Sequence, residues 1–191
     1  MSTARAKNLL SFEEYLDYEE TSSAPHEYHQ GRLVAMSFGV SQAHDVVQSN
    51  VHSAIRVHLR GRPCRVHQSG LALRVEAADA SYYPDIFVTC DARDRESPRV
   101  IRFPSLIIEI LSSSTRDYDA GGKFNGYKHL ETLREYALID SESQGAILCR
   151  RLAPTRWETI DLSVGDVLEL QSIGLSLPLD VIYEDSDVPL P

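Results

Sequence analysis

The sequence predicts one domain of the α/β or α+β class, with a mixed central β-sheet flanked by helices. Two short apolar runs, Ile86–Cys90 and Leu106–Leu111, are the predicted central strands, because their nearly continuous apolar character indicates cover on both faces. The segment Ser41–Arg60 instead repeats its apolar residues at helical spacing. Helical and strand-like patterns thus alternate along the chain.

The N-terminal part of the chain predicts a helix, a hairpin and a second helix. Ser11 and Glu14 have the spacing of a capping box, which starts a short helix. A Gln-Gly turn within His26–Met36 indicates a hairpin of two short strands. The helix of Ser41–Arg60 is followed by Gly and Pro, which end it. His44 lies in its first turn, on the apolar side.

The remainder predicts further strands around one more helix. The expected elements are paired strands in Arg65–Glu76 broken near Gly70, the two central strands, a surface loop over Asp91–Pro104, a helix over most of Asp117–Leu133, a strand at Glu135–Asp140, and edge strands or a hairpin at Ala146–Arg151 and Trp157–Leu162. We expect a single domain over residues 1–191, with its core at about 12–140. The C-terminal strands and an acidic tail, loosely held after Pro178, occupy 141–191.

Composition and charge exclude several classes of protein. The chain has 28 acidic and 19 basic residues, a net charge of −9, which disfavours nonspecific coating of nucleic acid. It leaves room for a nuclease, because acids can gather at a metal site while a basic strip faces phosphates. One local cluster has that potential, or is simply a solvated helix end: Arg56, Arg60, Arg62 and Arg65.

Location and redox state follow from what the sequence lacks. No apolar run has the length of a membrane span, and Met1–Leu10 lacks the apolar core of a secretory signal. The three cysteines, Cys64, Cys90 and Cys149, are scattered and form no Cys-x-x-Cys pair. We therefore expect reduced, buried thiols in a cytoplasmic protein, without a zinc ribbon or a disulfide framework.

Asp85 and Glu109 are the residues that point to chemistry, because each places a carboxylate beside a strand-like apolar run. A buried acid is costly unless its charge is offset, and a shared divalent metal offsets two. If the strands are neighbours, both carboxylates and the carbonyl of Ile110 reach one Mg²⁺ or Mn²⁺, leaving positions open for a phosphate oxygen and water. Lys123 is the candidate for activating that water and stabilising charge in the transition state.

The surrounding residues resemble a known family. Pro84-Asp85 followed by Glu109 is similar to the motif of the PD-(D/E)XK nuclease superfamily, which has the restriction-endonuclease-like fold. Leu111 stands where that motif has its lysine. From about Phe12 to Asp140 the chain resembles one branch, the Uma-two family. The matching series is Glu27 and Gly31, His44, Tyr83-Pro84-Asp85, Glu109-Ile110-Leu111-Ser112, Ser114-Thr115, Asp117, Lys123 and Tyr127.

The resemblance implies a Mg²⁺-dependent endonuclease that hydrolyses DNA phosphodiesters. Its catalytic residues would be Asp85, Glu109, a Lys123 that has migrated to the following helix, and the supporting Glu27 and His44. A homodimer is also implied, since two symmetric sites cut both strands of a duplex. Two alternatives stay open: a catalytically inactive module that binds nucleic acid or protein, and a phosphohydrolase of small nucleotides.

Each candidate residue also has a structural alternative. Asp85 could cap backbone amides, Glu109 could form a buried salt bridge with Lys123, and Lys123 could instead be exposed on its helix. Glu27 could be an exposed acid of the hairpin, and Tyr127 could pack in the core with its hydroxyl reaching the site. His44 could be a hydrogen-bonded histidine at the start of its helix, or it could contact phosphate or orient Glu27. Ser112–Ser114 lack the Gly-x-Ser-x-Gly context of a nucleophile and are expected to be a polar loop.

Overall fold

The helices and strands lie in residues 9–36 and 41–191, which a computed structural model describes. The expectation that Met1–Leu10 carries no secretory signal concerns residues that lie largely outside the described ones. The α-helices are α1 (Phe12–Thr21), α2 (Gln42–His58), α3 (Phe124–Tyr127) and α4 (Leu179–Ile182). The strands are β1 (His26–His29), β2 (Arg32–Ala35), β3 (Arg65–Gln68), β4 (Ala72–Val75), β5 (Ala80–Tyr82), β6 (Ile86–Thr89), β7 (Val100–Ile101), β8 (Pro104–Leu111), β9 (Glu135–Asp140), β10 (Ala146–Ala153), β11 (Arg156–Leu162), β12 (Val167–Leu170) and β13 (Leu175–Pro178).

A six-stranded mixed sheet in the order β11-β10-β9-β8-β6-β3 forms the centre of the fold. Its strands pair antiparallel, except for the parallel pair of β8 and β9. A second sheet has the order β2-β1-β5-β4-β7, and β12 with β13 forms a hairpin. The mixed α+β class is therefore confirmed, and the structure contains a second sheet that was not predicted. In the described part of the chain, no helix is long and apolar enough to cross a membrane.

Apolar side chains cover both faces of the central sheet. On one face α2 packs through Val47, Val51 and Ile55, all fully buried, against β6, β8 and the C-terminal elements. On the other face Leu73 of β4 and Tyr127 of α3 pack against β8 and β9. This two-sided burial explains why the central strands are apolar almost throughout.

The expected pairing within Arg65–Glu76 is wrong, because β3 and β4 belong to different sheets. β3 pairs with β6, whereas β4 pairs with β5 and β7. The predicted loop Asp91–Pro104 contains a 3₁₀-helix, Ala92–Glu96, and the short strand β7. The predicted helix of Asp117–Leu133 is shorter: a π-helical segment, Tyr118–Lys123, leads into α3.

The C-terminal tail is held against α2, so the expectation of a loosely held tail is wrong. Ile182, Tyr183 and Val188 are buried in the same cluster as the apolar face of α2. Asn50 donates its side-chain amide to the carbonyls of Ile182 and Glu184, at 3.1 and 2.8 Å. These buried apolar residues outweigh the acidic and proline-rich composition of the segment.

The expectation of three buried thiols is also wrong. Cys64 and Cys90 form a disulfide with a Cα–Cα distance of 4.0 Å, and Cys149 is buried and free. The cause is the register of β3 and β6, which pairs Arg65 with Thr89 and so brings the adjacent cysteines together. Cys90 is exposed rather than buried.

Candidate active site

The pairing of β6 and β8 brings Asp85 and Glu109 together. Ile86 lies opposite Ile108, so Asp85 and Glu109 follow as the next pair at the end of β6. Each carboxylate accepts a hydrogen bond from the other strand: Ile110 N donates to Asp85 Oδ2 at 2.8 Å, and Asp85 N donates to Glu109 Oε2 at 3.1 Å. These two bonds fix both carboxylates at one point. The acids predicted to meet do so.

Lys123 lies in the middle of a group of carboxylates. Its Nζ is 2.9 Å from Asp119 Oδ1, 3.3 Å from Glu109 Oε1 and 3.6 Å from Glu27 Oε1. The side chain is 8% exposed, which rules out an exposed helical lysine. Burial opposes its charge, but the three carboxylates more than offset this and raise the pKa of Lys123 well above its usual value.

The π-helical segment places Lys123 and Asp119 on the cavity side. These two residues are four apart and pair within the segment. Gly122 allows this geometry, because a Cβ there would come within 2.8 Å of the Tyr118 ring. Tyr118 in turn donates its hydroxyl to Glu27 Oε2 at 2.6 Å. Irregular helical turns of this kind occur frequently at functional sites.

Glu109 is buried, with 1% of its surface exposed. Its Oε1 accepts hydrogen bonds from Tyr127 OH at 3.1 Å and from Lys123 Nζ at 3.3 Å. Burial raises the pKa of Glu109 to about 8, with Lys123 opposing the shift and Asp85 and Asp119 adding to it. A proton therefore remains on Glu109 at neutral pH unless more positive charge enters the site. Tyr127 combines core packing with a hydroxyl in the site, as expected.

Glu27 is buried on β1, so the alternative of an exposed hairpin acid is wrong. Burial favours its neutral form, but His29, whose Nε2 lies 3.7 Å from Glu27 Oε2, the charge of Lys123 and the Tyr118 hydroxyl outweigh burial and lower the pKa of Glu27. Glu27 thus remains a carboxylate beside Lys123. Lys123 in turn contacts Glu109, and so links the five-stranded sheet to the central sheet.

His44 reaches the site from α2. Its ring is buried, and its Nε2 lies 3.5 Å from Asp85 Oδ1 without a hydrogen-bond partner among the described residues. The side chain of Ser41 caps the helix by accepting from His44 N. A cavity of about 440 Å³ lies here and opens the site to solvent. Its lining includes His44, Asp85, Glu109, Ile110, Asp119 and Lys123.

The donor set can be compared with the needs of Mg²⁺. In residues 9–36 and 41–191, no group of three His, Cys, Asp or Glu side chains is arranged to hold a metal ion. Mg²⁺ requires less, because it keeps several waters and binds through one or two carboxylates plus substrate oxygens. Asp85 and Glu109 beside an open cavity fit that requirement. Three carboxyl groups facing one ammonium, with Asp85 beside Glu109, also leave an excess of negative charge.

The sequence interpretation missed three of the polar groups in this network. Asp119 lies within the helix predicted over Asp117–Leu133 and is not among the candidate site residues, but the structure buries it against Lys123. Tyr118 and His29, joined by a 2.9 Å hydrogen bond, complete the surroundings of Glu27. The spacing of Asp119 and Lys123 by four residues is the signal that could have found the first of these.

Comparisons with known proteins agree with this fold. The Uma2 family model, described as "Putative restriction endonuclease", matches residues 12–181. The uncharacterized protein slr1290 of Synechocystis sp. (strain ATCC 27184 / PCC 6803 / Kazusa) is 40% identical over 174 residues, covering 91% of each chain. A second protein of that strain, sll1609, is 25% identical over 173 residues, covering 90% of this chain and 97% of its own.

A solved structure also matches the fold. It is described as a crystal structure of "a putative nuclease belonging to DUF820" from Anabaena variabilis ATCC 29413. The TM-score is 0.70 with 21% sequence identity, and the match covers 88% of this chain and 96% of the other. The fold is thus restriction-endonuclease-like. Because the family model spans most of the sequence, the chain belongs to the Uma2 family of nuclease-like proteins.

Proposed function

We propose that the protein is a Mg²⁺-dependent endonuclease that hydrolyses DNA phosphodiester bonds, with Mn²⁺ as a possible substitute. The observation that supports this most is the meeting of Asp85, Glu109 and Lys123 at one solvent-open cavity in a member of a nuclease-like family. The family match supports nuclease-like function, and the identity of the substrate and metal is part of the proposal.

In this proposal Asp85 and Glu109 hold the metal, with the Ile110 carbonyl as a further ligand. The bound ion would supply Lewis-acid activation of the phosphate and neutralise developing charge. Lys123 holds its proton firmly, so it acts as a charged donor to the reacting oxygens rather than as a base. Glu27 and Asp119 fix the position of the ammonium through their own contacts with it.

His44 and Tyr127 have supporting roles in the proposal. The His44 Nε2 faces Asp85 from α2 and orients that carboxylate at the mouth of the cavity. The Tyr127 hydroxyl holds Glu109 Oε1 from the opposite side of the sheet end. Together they restrict the rotation of both acids, which lowers the cost of arranging them for a metal and a phosphate.

A cleavage assay tests the proposal. Plasmid and single-stranded DNA are incubated with Mg²⁺, Mn²⁺ or chelator, and wild type is compared with Asp85→Asn. Asp45→Asn is the matched control, because Asp45 is an exposed acid on the same turn as His44. We expect metal-dependent cleavage that falls on the order of 10³-fold in Asp85→Asn and stays within twofold of wild type in the control. Cleavage that survives Asp85→Asn or chelation would exclude this site.

A second candidate is a nuclease-like module that binds nucleic acid without cutting it. Leu111, which replaces the lysine of the common motif, favours this candidate, because it is buried in the apolar core and offers no charge to the site. DNA binding without cleavage under every metal condition would support the binding module. The homodimer remains a prediction from the resemblance, and the cytoplasmic location remains a prediction from the sequence.

A further inference from the structure

Four exposed arginines form a basic surface at the C-terminal end of α2. Arg56 is in the last turns of the helix, Arg60 and Arg62 follow it, and Arg65 begins β3. Within the described residues, none of the four has a carboxylate within 4.0 Å. Several arginines elsewhere are neutralised by acids: Arg74, Arg93, Arg99, Arg102, Arg116 and Arg150.

The basic surface is concave. A cavity of about 520 Å³ lies between the end of α2 and β3, lined by Arg56, Arg60, Arg65 and His67 among others. The positive charge is felt by nearby groups: burial and then Arg56 lower the pKa of His52, and burial and then Arg65 lower the pKa of His67. In a chain of net charge −9, this surface is a local site for anions.

A ridge of α2 runs from the candidate active site toward this surface. It consists of every fourth residue from His44, namely His44, Gln48, His52 and Arg56, and Arg60 follows just after the helix ends at His58. The ridge begins at Asp85, because His44 faces its carboxylate and Gln48 Nε2 donates to its carbonyl at 2.9 Å. Exposure increases along the ridge from buried His44 to exposed Arg56.

The length of the ridge fits a stretch of duplex. From His44 to His58, where α2 ends, the helix axis advances about 21 Å, at 1.5 Å per residue. This corresponds to about six base pairs at 3.4 Å each. β3 runs beside the ridge, with Ser69 bonded to Gln48 at the active-site end and Arg65 at the basic end. The ridge and β3 therefore extend from the candidate cleavage point toward the arginines.

We infer that this surface, formed by Arg56, Arg60, Arg62 and Arg65, binds the phosphate backbone of duplex DNA about six base pairs from the scissile bond. The inference rests on the proposed function for its choice of substrate. The arginines have no acidic partner in the described structure. When a duplex enters the active-site cavity, its phosphates would pair with the arginine charges. Arginine suits this task because its planar guanidinium binds phosphate in a bidentate manner.

Binding of a fluorescent 30-base-pair duplex, measured by anisotropy in chelator over a range of salt concentrations, tests the inference. Arg56→Ala/Arg60→Ala is compared with Arg134→Ala/Arg156→Ala, which removes the same charge from two exposed arginines near the opposite edge of the central sheet. We expect the first variant to bind at least tenfold more weakly. Its slope of log affinity against log salt should be smaller by about 2, from two lost phosphate contacts. The control should match wild type.

Three outcomes would separate the claims. Equal affinities and salt slopes in both double variants, or no binding of DNA by wild type, would overturn the inference. Arginine-dependent binding without metal-dependent cleavage would uphold the inference and overturn the proposed endonuclease. Metal-dependent cleavage, together with DNA binding that is unchanged in Arg56→Ala/Arg60→Ala, would uphold the proposed endonuclease and overturn the inference. Thermal melting of both variants checks folding, which alanine at these exposed positions should preserve.

Discussion

The two ends of α2 have opposite electrostatic character. At the N-terminal end, buried carboxylates surround Lys123, and negative charge exceeds positive charge. At the C-terminal end, exposed arginines have no acidic partner among the described residues, and positive charge is in excess. The net charge of −9 averages these two regions and describes neither. The comparison shows that an acidic protein can keep regions of excess negative and excess positive charge apart along one helix.

The strongest test of the acidic end is Lys123→Met. Removing the ammonium leaves Glu27, Glu109 and Asp119 buried together, and we expect a loss of about 3–5 kcal/mol in the free energy of unfolding. Lys128→Met is the matched control, because the Lys128 ammonium lies over the Phe124 ring and donates to Asn125, with no carboxylate within 4.0 Å among the described residues. This variant should lose less than about 1 kcal/mol. Urea unfolding measures both. Similar losses in the two variants would contradict the central role of Lys123.

At the basic end, the disulfide between Cys64 and Cys90 is the strongest covalent constraint. It joins residues that are 26 apart in the sequence. By lowering the entropy of the unfolded chain it stabilises the fold by about 3 kcal/mol. Reduction of wild type should lower the free energy of unfolding by this amount. The Cys64→Ser/Cys90→Ser variant should already show the loss and should not respond to reductant. A response of that variant would assign the effect to another cause.

Glu109→Gln tests whether the acidic end raises the pKa of Glu109. In wild type the pKa of Glu109 is about 8 when folded, against an ordinary value of 4.5. Between these values the folded state keeps a proton that the unfolded state has lost, so stability falls as pH rises, by up to about 1.4 kcal/mol per pH unit. Glutamine does not titrate, and the variant should lack this slope. Urea unfolding from pH 5 to 8 in chelator compares them; parallel curves would disprove the shift.

The smallest expected effect concerns the cap of α2 beside the cavity. Ser41 Oγ accepts from His44 N at 3.1 Å, and Ser41→Ala should cost about 1 kcal/mol of stability. Ser41→Asp retains an acceptor and should stay near wild type. Thermal melting distinguishes the two. A full loss with aspartate would mean that the cap is not what Ser41 contributes.

The sequence predicted the parts of the site that depend on pattern and local pairing. Asp85 and Glu109 were assigned to two separate strands because each lies beside an apolar run. Their meeting was conditional on these strands being neighbours, and the register of β6 and β8 meets that condition. His44 was placed on the apolar side of α2 by helical spacing alone. The central mixed sheet followed from the same apolar runs.

The remaining features depend on long-range packing that no local pattern encodes. Asp119 is buried on a π-helical segment, and the sequence of that segment does not predict its irregular turn. β3 and β4 flank a glycine as a hairpin would, yet each has a better partner in a different sheet. Cys64 and Cys90 meet only because β3 pairs with β6. Each error therefore arose where distant segments compete with neighbours.

The attachment of the C-terminal tail to α2 has a consequence for how the chain folds during synthesis. Asn50 bonds to Ile182, which is 132 residues further along the chain. At about 5–20 residues per second, the ribosome delivers this partner roughly 7–26 seconds after α2 has been made. Until then part of the apolar face of α2 is uncovered. The growing chain thus passes through a period in which chaperones have a surface to bind, and the synthesis of the segment around Ile182 ends that period.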